Sequence, residues 1–150
     1  VREQEKSPKK VYAIDTGLCN TLGFRFSENA GRLAENIVFM EIKKKQVLDP
    51  ETEIFYWKDD RHREVDFVLK QEKRPQELIQ VCWNLSDQKT KDREIAGLLK
   101  AMQELKLNEA LIITDEYEAV EDLKGNKIVY LPLWKWLLTA ADTAWFGQSS

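Results

Sequence analysis

Two neighbouring β-type runs, REVDFVLK (63–70) and ELIQVCW (77–83), limit the fold of this chain more than any other stretch. The first alternates, with Val65, Phe67 and Leu69 on one face and Glu64, Asp66, Val68 and Lys70 on the other. In the second, Leu78, Gln80 and Cys82 share a face opposite Ile79, Val81 and Trp83. A turn from Lys70 to Pro75 joins the two, so if the runs pair, Asp66 lies near Gln80 and Cys82. Asp is a poor strand former. A carboxylate among Val, Phe and Leu costs free energy unless it is paired, hydrogen-bonded or close to a metal.

The flanking stretches supply the other layers. GRLAENIVFMEIKKK (31–45) has helical spacing, with a stripe of Leu33, Ile37 and Met40 widened by Ala34, Val38 and Phe39. Its closing lysines suit the negative end of the helix dipole. KVYAID (10–15) reads as a short strand closed by Thr16-Gly17, and EIFYWK (53–58) as another. TKDREIAGLLKAMQELKL (90–107) reads as a second helix with Thr90 as N-cap and Ile95, Leu98, Leu99 and Met102 at core spacing. ALIIT (110–114) fits a buried strand. KIVYL (127–131) is a strand after the Gly125-Asn126 turn, and Pro132 opens a helix over LWKWLL. This order, β, α, β, β, β, α, β, β, α, predicts an α/β fold: a mixed β-sheet flanked by α-helices.

A chain of 150 residues is one domain's worth, with 43% hydrophobic and 33% charged residues. No run has the length and apolarity of a membrane helix. The start, VREQEKSPKK, has neither an initiator Met nor the apolar core of a signal peptide, so the expectation is a piece of a longer protein. Cys19 and Cys82 form no zinc or disulfide pattern, which points to a reducing, cytoplasmic setting. A formal net charge of −3 argues against strong stand-alone binding to nucleic acid. Lys6, Lys9 and Lys10, and then Lys43, Lys44 and Lys45, are the local basic groups.

Glu35 is the second acid in an apolar setting, with Val38, Phe39 and Ile42 on its side of the first helix. Glu35 and Asp66, on elements that pack together, form a candidate site. Asp66 has a structural alternative, as a helix cap or as the partner of Arg32 or Arg93. His62, the single histidine, sits in the charged turn DDRHRE and reads as a solvated loop residue. Cys82 lacks the neighbours of a nucleophile and reads as an inert buried thiol. Trp134 and Trp136 read as core or interface residues rather than base-stacking ones.

The order of a helix Glu, a hairpin with V-D-F, and a strand in the place of (D/E)-x-K resembles the PD-(D/E)XK nuclease superfamily. More narrowly, VYAIDTGL, GRLAENIVFMEI, EIFYWKD, REVDFVLK, LIQVCW and TKDREIAGLLKA resemble the C-terminal domain of unknown function attached to archaeal-type AAA+ ATPases, over about residues 10–138. The resemblance implies a restriction-endonuclease-like fold, an ATPase module as partner, and nucleic acid as possible substrate. It also implies Mg or Mn held by Glu35, Asp66 and the main-chain carbonyl of Val81. No G-x-x-x-x-G-K-S/T loop occurs, so this chain carries no ATP site of that kind. Gln80 stands where the second acid belongs and Cys82 where the lysine belongs. Gln80 offers a neutral oxygen where magnesium prefers an anionic one, and a thiol supplies no cation for a developing phosphorane charge. Lys91 and Arg93 are the nearest candidates for a migrated cation, followed by Lys43 and Lys44. Two expectations result: a metal-dependent nuclease with a degenerate set, or an inactive pseudo-nuclease that binds nucleic acid or protein.

Overall fold

EALIIT is buried on both sides because it runs through the middle of the sheet. Leu111 and Ile113 enter one core and Ala110 and Ile112 the other. The computed structural model describes Lys10, Tyr12, Ala13 and residues 30–140. In chain order, the elements are α1 (Ala30–Leu48), β1 (Glu53–Lys58), β2 (Glu64–Gln71), β3 (Arg74–Val81), α2 (Gln88–Leu105), β4 (Glu109–Thr114), β5 (Ala119–Leu123), β6 (Asn126–Pro132) and α3 (Leu133–Ala140). The six strands form one mixed sheet in the order β1-β2-β3-β4-β6-β5. β1, β2 and β3 are an antiparallel meander, β3, β4 and β6 run parallel, and β5 returns antiparallel on β6. Helix α2 is the crossover that a parallel β3–β4 pair requires.

The sheet separates two apolar cores. α1 packs Ala34, Val38 and Ile42 against Phe67, Leu69, Ile79, Leu111 and Ile113, with Leu133 and Trp136 of α3 beside them. The buried seam of α1 is thus Ala34–Val38–Ile42: the expected flanking residues Ala34 and Val38 take its centre, and Leu33, Ile37 and Met40 are half-buried beside it. On the opposite face, Leu98, Ala101 and Met102 of α2 meet Val65, Val68, Leu78, Ile112, Ile128 and Tyr130. Trp136 is buried, whereas Trp134 and Leu138 are exposed on the outer side of α3.

One irregularity positions the site. Phe55 faces Val68, but Trp57 faces Val65, so Asp66 and Phe67 together oppose Tyr56. That is a β-bulge, and an extra residue re-aims the side chains around it. Val65 therefore joins Val68 in the α2 core, while Phe67 and Leu69 enter the α1 core. The strict alternation read from the sequence, with Val65, Phe67 and Leu69 on one face, is corrected here. Asp66 turns towards α1 together with Phe67.

Other local readings are corrected too. Of the expected strand 10–15, the described residues Lys10, Tyr12 and Ala13 lie in no strand, and the remainder falls outside the described residues, as do Thr16-Gly17 and Cys19. The α2 N-cap is Asp87, whose carboxylate accepts from the N–H of Thr90, so Thr90 is the capped residue rather than the cap. Strand β5 was not expected. Its sequence, AVEDL, is polar because it is an edge strand, with Val120 exposed. Its hairpin turns at Lys124-Gly125, and Asn126 already belongs to β6.

The β2–β3 turn is tighter than the expected Lys70–Pro75 span. Gln71 pairs with Arg74, leaving Glu72 and Lys73 as a two-residue loop with φ of 49° and 64°. Two left-handed residues fit a type I′ hairpin turn, which favours Asn-Gly and disfavours side chains like these. Lys73→Gly is therefore expected to raise the free energy of unfolding by about 0.5–1 kcal/mol, read from urea titrations with an unchanged slope.

Candidate functional site

Asp66 and Gln80 replace, with their side chains, the ladder that β2 and β3 abandon beyond the Phe67–Ile79 pair. The Asp66 N–H donates to Gln80 Oε1 at 2.9 Å, and the Val81 N–H donates to Asp66 Oδ2 at 2.9 Å. These two bonds satisfy backbone donors that the bulge would otherwise strand in the interior. The second Asp66 oxygen, Oδ1, accepts from Lys10 Nζ at 2.6 Å, and the same ammonium reaches Glu35 Oε1 at 3.2 Å. One cation thus bridges the two acids that the sequence nominates. Arg32 and Arg93, the expected structural partners of Asp66, do not fill that role.

The residues around Lys10 are held by α1. Asn36, buried on the helix, donates from Nδ2 to the Ala13 carbonyl at 2.8 Å and accepts from the Ala13 N–H at 2.7 Å. Tyr12 stacks on Phe39, with ring centroids 4.0 Å apart, and its hydroxyl donates to Glu35 Oε1 at 2.8 Å. Lys10 was part of a basic cluster in the sequence, with nothing to single it out. The signal that finds it is spacing to Asn36 and Glu35 in space, which the chain alone does not display.

The other predicted members separate from this centre. Gln80 Nε2 donates to Glu94 Oε2 at 2.6 Å, so the amide is engaged at both ends and turned to the α2 side. Arg93 pairs with Glu94 at 2.8 Å and connects to Asp66 only through Glu94 and Gln80. Lys91 pairs with Glu121 at 2.6 Å and lies near the rings of Tyr117 and Tyr130, away from Asp66. Cys82 is buried in the α2 core, where burial and then the Glu94 carboxylate push its thiol up to about 11. That thiol is inert at neutral pH. Val81 meets Asp66 through its N–H. His62 lies exposed in the β1–β2 turn with φ of 60°. Lys44 pairs with Glu41 on the α1 surface, and Lys43 donates to Gln46.

A cavity of about 410 Å³ opens beside the centre, lined by Lys10, Tyr12, Phe39, Lys43, Gln46, Ile54, Phe55, Tyr56, Asp66 and Phe67. It offers aromatic faces, two ammonium groups and one carboxylate. A divalent ion does not fit the donors as arranged. Among the described residues no three His, Cys, Asp or Glu side chains gather to hold a metal. The space between the two converging acids is taken by Lys10, and the Gln80 oxygen is committed to a backbone N–H.

Burial pushes the Asp66 carboxyl up to about 6, against the pull of the Lys10 ammonium, and the Glu35 charge adds to the rise. For Lys10, burial favours the neutral amine, but Asp66 and Glu35 outweigh it and hold the ammonium above its ordinary range. Burial and the Glu35 charge likewise raise the Tyr12 phenol. A raised folded-state carboxyl contributes stability that is present below its unfolded value of 3.8 and lost as pH rises through about 6. Relative to Asp66→Asn, the wild-type chain is thus expected to lose roughly 1–3 kcal/mol between pH 4 and pH 7, measured by urea unfolding at each pH.

Comparison with known proteins agrees with the extent of this fold. Uncharacterized protein MJ1544 of Methanocaldococcus jannaschii is 40% identical over 139 residues, which are 89% of this chain. The chain spans 30% of the length of that curated relative. No solved structure matches. The matched family region, residues 30–136, begins with the first residue of α1 and ends at the buried Trp136 of α3, and the chain belongs to the family described as Domain of unknown function (DUF4143).

Proposed function

We propose that this domain is a nucleic-acid-binding module on a restriction-endonuclease-like scaffold whose hydrolytic set is no longer complete. The observation that carries this reading is the ammonium of Lys10, which fills the place between Glu35 and Asp66 where a nuclease gathers its metal. Two further positions support it. Gln80 is neutral and bonded at both ends, and Cys82 is a protonated thiol in the α2 core. The scaffold, and a working partnership with an AAA+ ATPase module, rest on the motif resemblance over residues 10–138. The greater length of the archaeal relative leaves room for such a module.

The cavity fits one strand better than a duplex surface. Lys43 is exposed at its rim for a phosphate, while Tyr56 and Tyr12 line it with rings for a base or sugar. With a net charge of −3, binding is expected to be weak and to fall steeply with salt. No described helix is long and apolar enough to cross a membrane.

A second reading, metal-dependent phosphodiester hydrolysis, is favoured by one observation: Glu35 and Asp66 converge on a single cation-sized place. It requires Lys10 to leave that place.

Fluorescence anisotropy with labelled single-stranded and duplex DNA tests the first reading. Single strand is expected to bind more tightly at low salt, and Lys43→Glu to weaken it about tenfold. Neither DNA is expected to be cut in magnesium or manganese. An absence of binding at low salt sinks the reading. Metal-dependent cleavage that disappears in Asp66→Ala replaces it with the second.

A further inference from the structure

The donor set at Glu35 and Asp66 disagrees with a resident metal, and the disagreement has a built cause. We propose that Lys10 is the permanent cation of this acid pair, carried there by the chain itself, and that it excludes a divalent ion from the same place. The inference rests on reading the pocket as a nuclease-like site and specifies how that site is kept closed.

Geometry makes the two occupants exclusive. Lys10 Nζ is 2.6 Å from Asp66 Oδ1 and 3.2 Å from Glu35 Oε1. A magnesium ion needs its oxygens at about 2.0–2.1 Å, so it cannot share these atoms with an ammonium already in contact. The other Asp66 oxygen is held by the Val81 N–H. Among the described residues no second cation reaches either acid.

The position of Lys10 is imposed by more than charge. Asn36 grips both main-chain groups of Ala13, and Tyr12 lies flat on Phe39 while donating to Glu35. Without Ala13, the buried amide of Asn36 loses both of these partners, which is costly in the interior. Tyr12 and Ala13 are thus docked by four contacts, and Lys10 is delivered beside them. An exposed lysine tip wandering onto two acids has no such framework.

A cation that substitutes for a metal leaves a specific signature when its charge is removed. Two acids then share the pocket with nothing between them, and a divalent ion becomes the available replacement. Melting of the full chain with and without manganese or chelator tests this, in the absence of any nucleic acid. The wild-type melting temperature is expected to be the same in manganese and in chelator. Lys10→Met is expected to melt about 5 °C lower in chelator, with manganese restoring at least half of the loss. Lys10→Arg should behave as wild type, and Lys10→Met combined with Asp66→Asn should ignore manganese. Stabilisation of the wild type by manganese as large as that of Lys10→Met, or no restoration in Lys10→Met, overturns the proposal. If Lys10→Met does not fold, the wild type decides: amide signals of Ala13 and Asn36 that stay sharp in dilute manganese support it, and selective broadening of those signals overturns it. The nucleic-acid reading can fail in its own binding assay while these melts succeed, and the reverse holds equally.

Discussion

Burial of the Asp66 carboxylate is the constraint that organises this domain. A bulge in β2 turns Asp66 out of alternation and into the space under α1, where its charge must be met from several sides. A backbone N–H from β3 and an ammonium from far upstream donate to the carboxylate, while the Gln80 amide oxygen accepts the Asp66 N–H and closes the gap in the ladder. The carboxylate still sits above its ordinary range, because these contacts do not fully offset the loss of water. The end of the sheet where β2 and β3 diverge is therefore polar, hydrogen-bonded and proton-sensitive, while the rest of it is two apolar layers.

Much of that sheet was legible in the chain. EIFYWK gave its strand limits without error, because turn residues bound it closely, and the apolar run of β4 announced a strand covered on both faces. The second helix was visible from Leu98 and Met102. The bulge was not legible, since an alternating pattern looks the same whether or not one residue is extra. Its effect was to exchange the faces of Val65 and Asp66, and hence the surroundings of the candidate acid. β5 was missed because an edge strand of Glu, Asp, Val and Leu resembles a loop in composition. Glu35 and Asp66 were found because acids in apolar settings are conspicuous. Lys10 was not, because a lysine near other lysines carries no mark of the partner it will meet.

A relay runs from Gln80 through Glu94 to Arg93 on the α2 side. Gln80 supplies a donor and an acceptor at once, which a carboxylate in its place would not, and it uses both. Glu94 in turn is capped by Arg93 at the surface. On the same side of the sheet, Lys91, Glu121 and Tyr130 form a separate group. Lys91 and Arg93 thus each have a carboxylate of their own on this side of the sheet.

The bond between Lys10 and Asp66 joins residues 56 positions apart, whereas the β1–β2–β3 meander forms from neighbours in sequence. A contact of that span carries a larger loop-closure cost than the hairpins on either side of β2. None of Lys10, Tyr12 and Ala13 belongs to the sheet, so the contacts they make with α1 and β2 can open without breaking a strand ladder. An opening of those contacts would uncover the acid pair while every strand pairing stays in place.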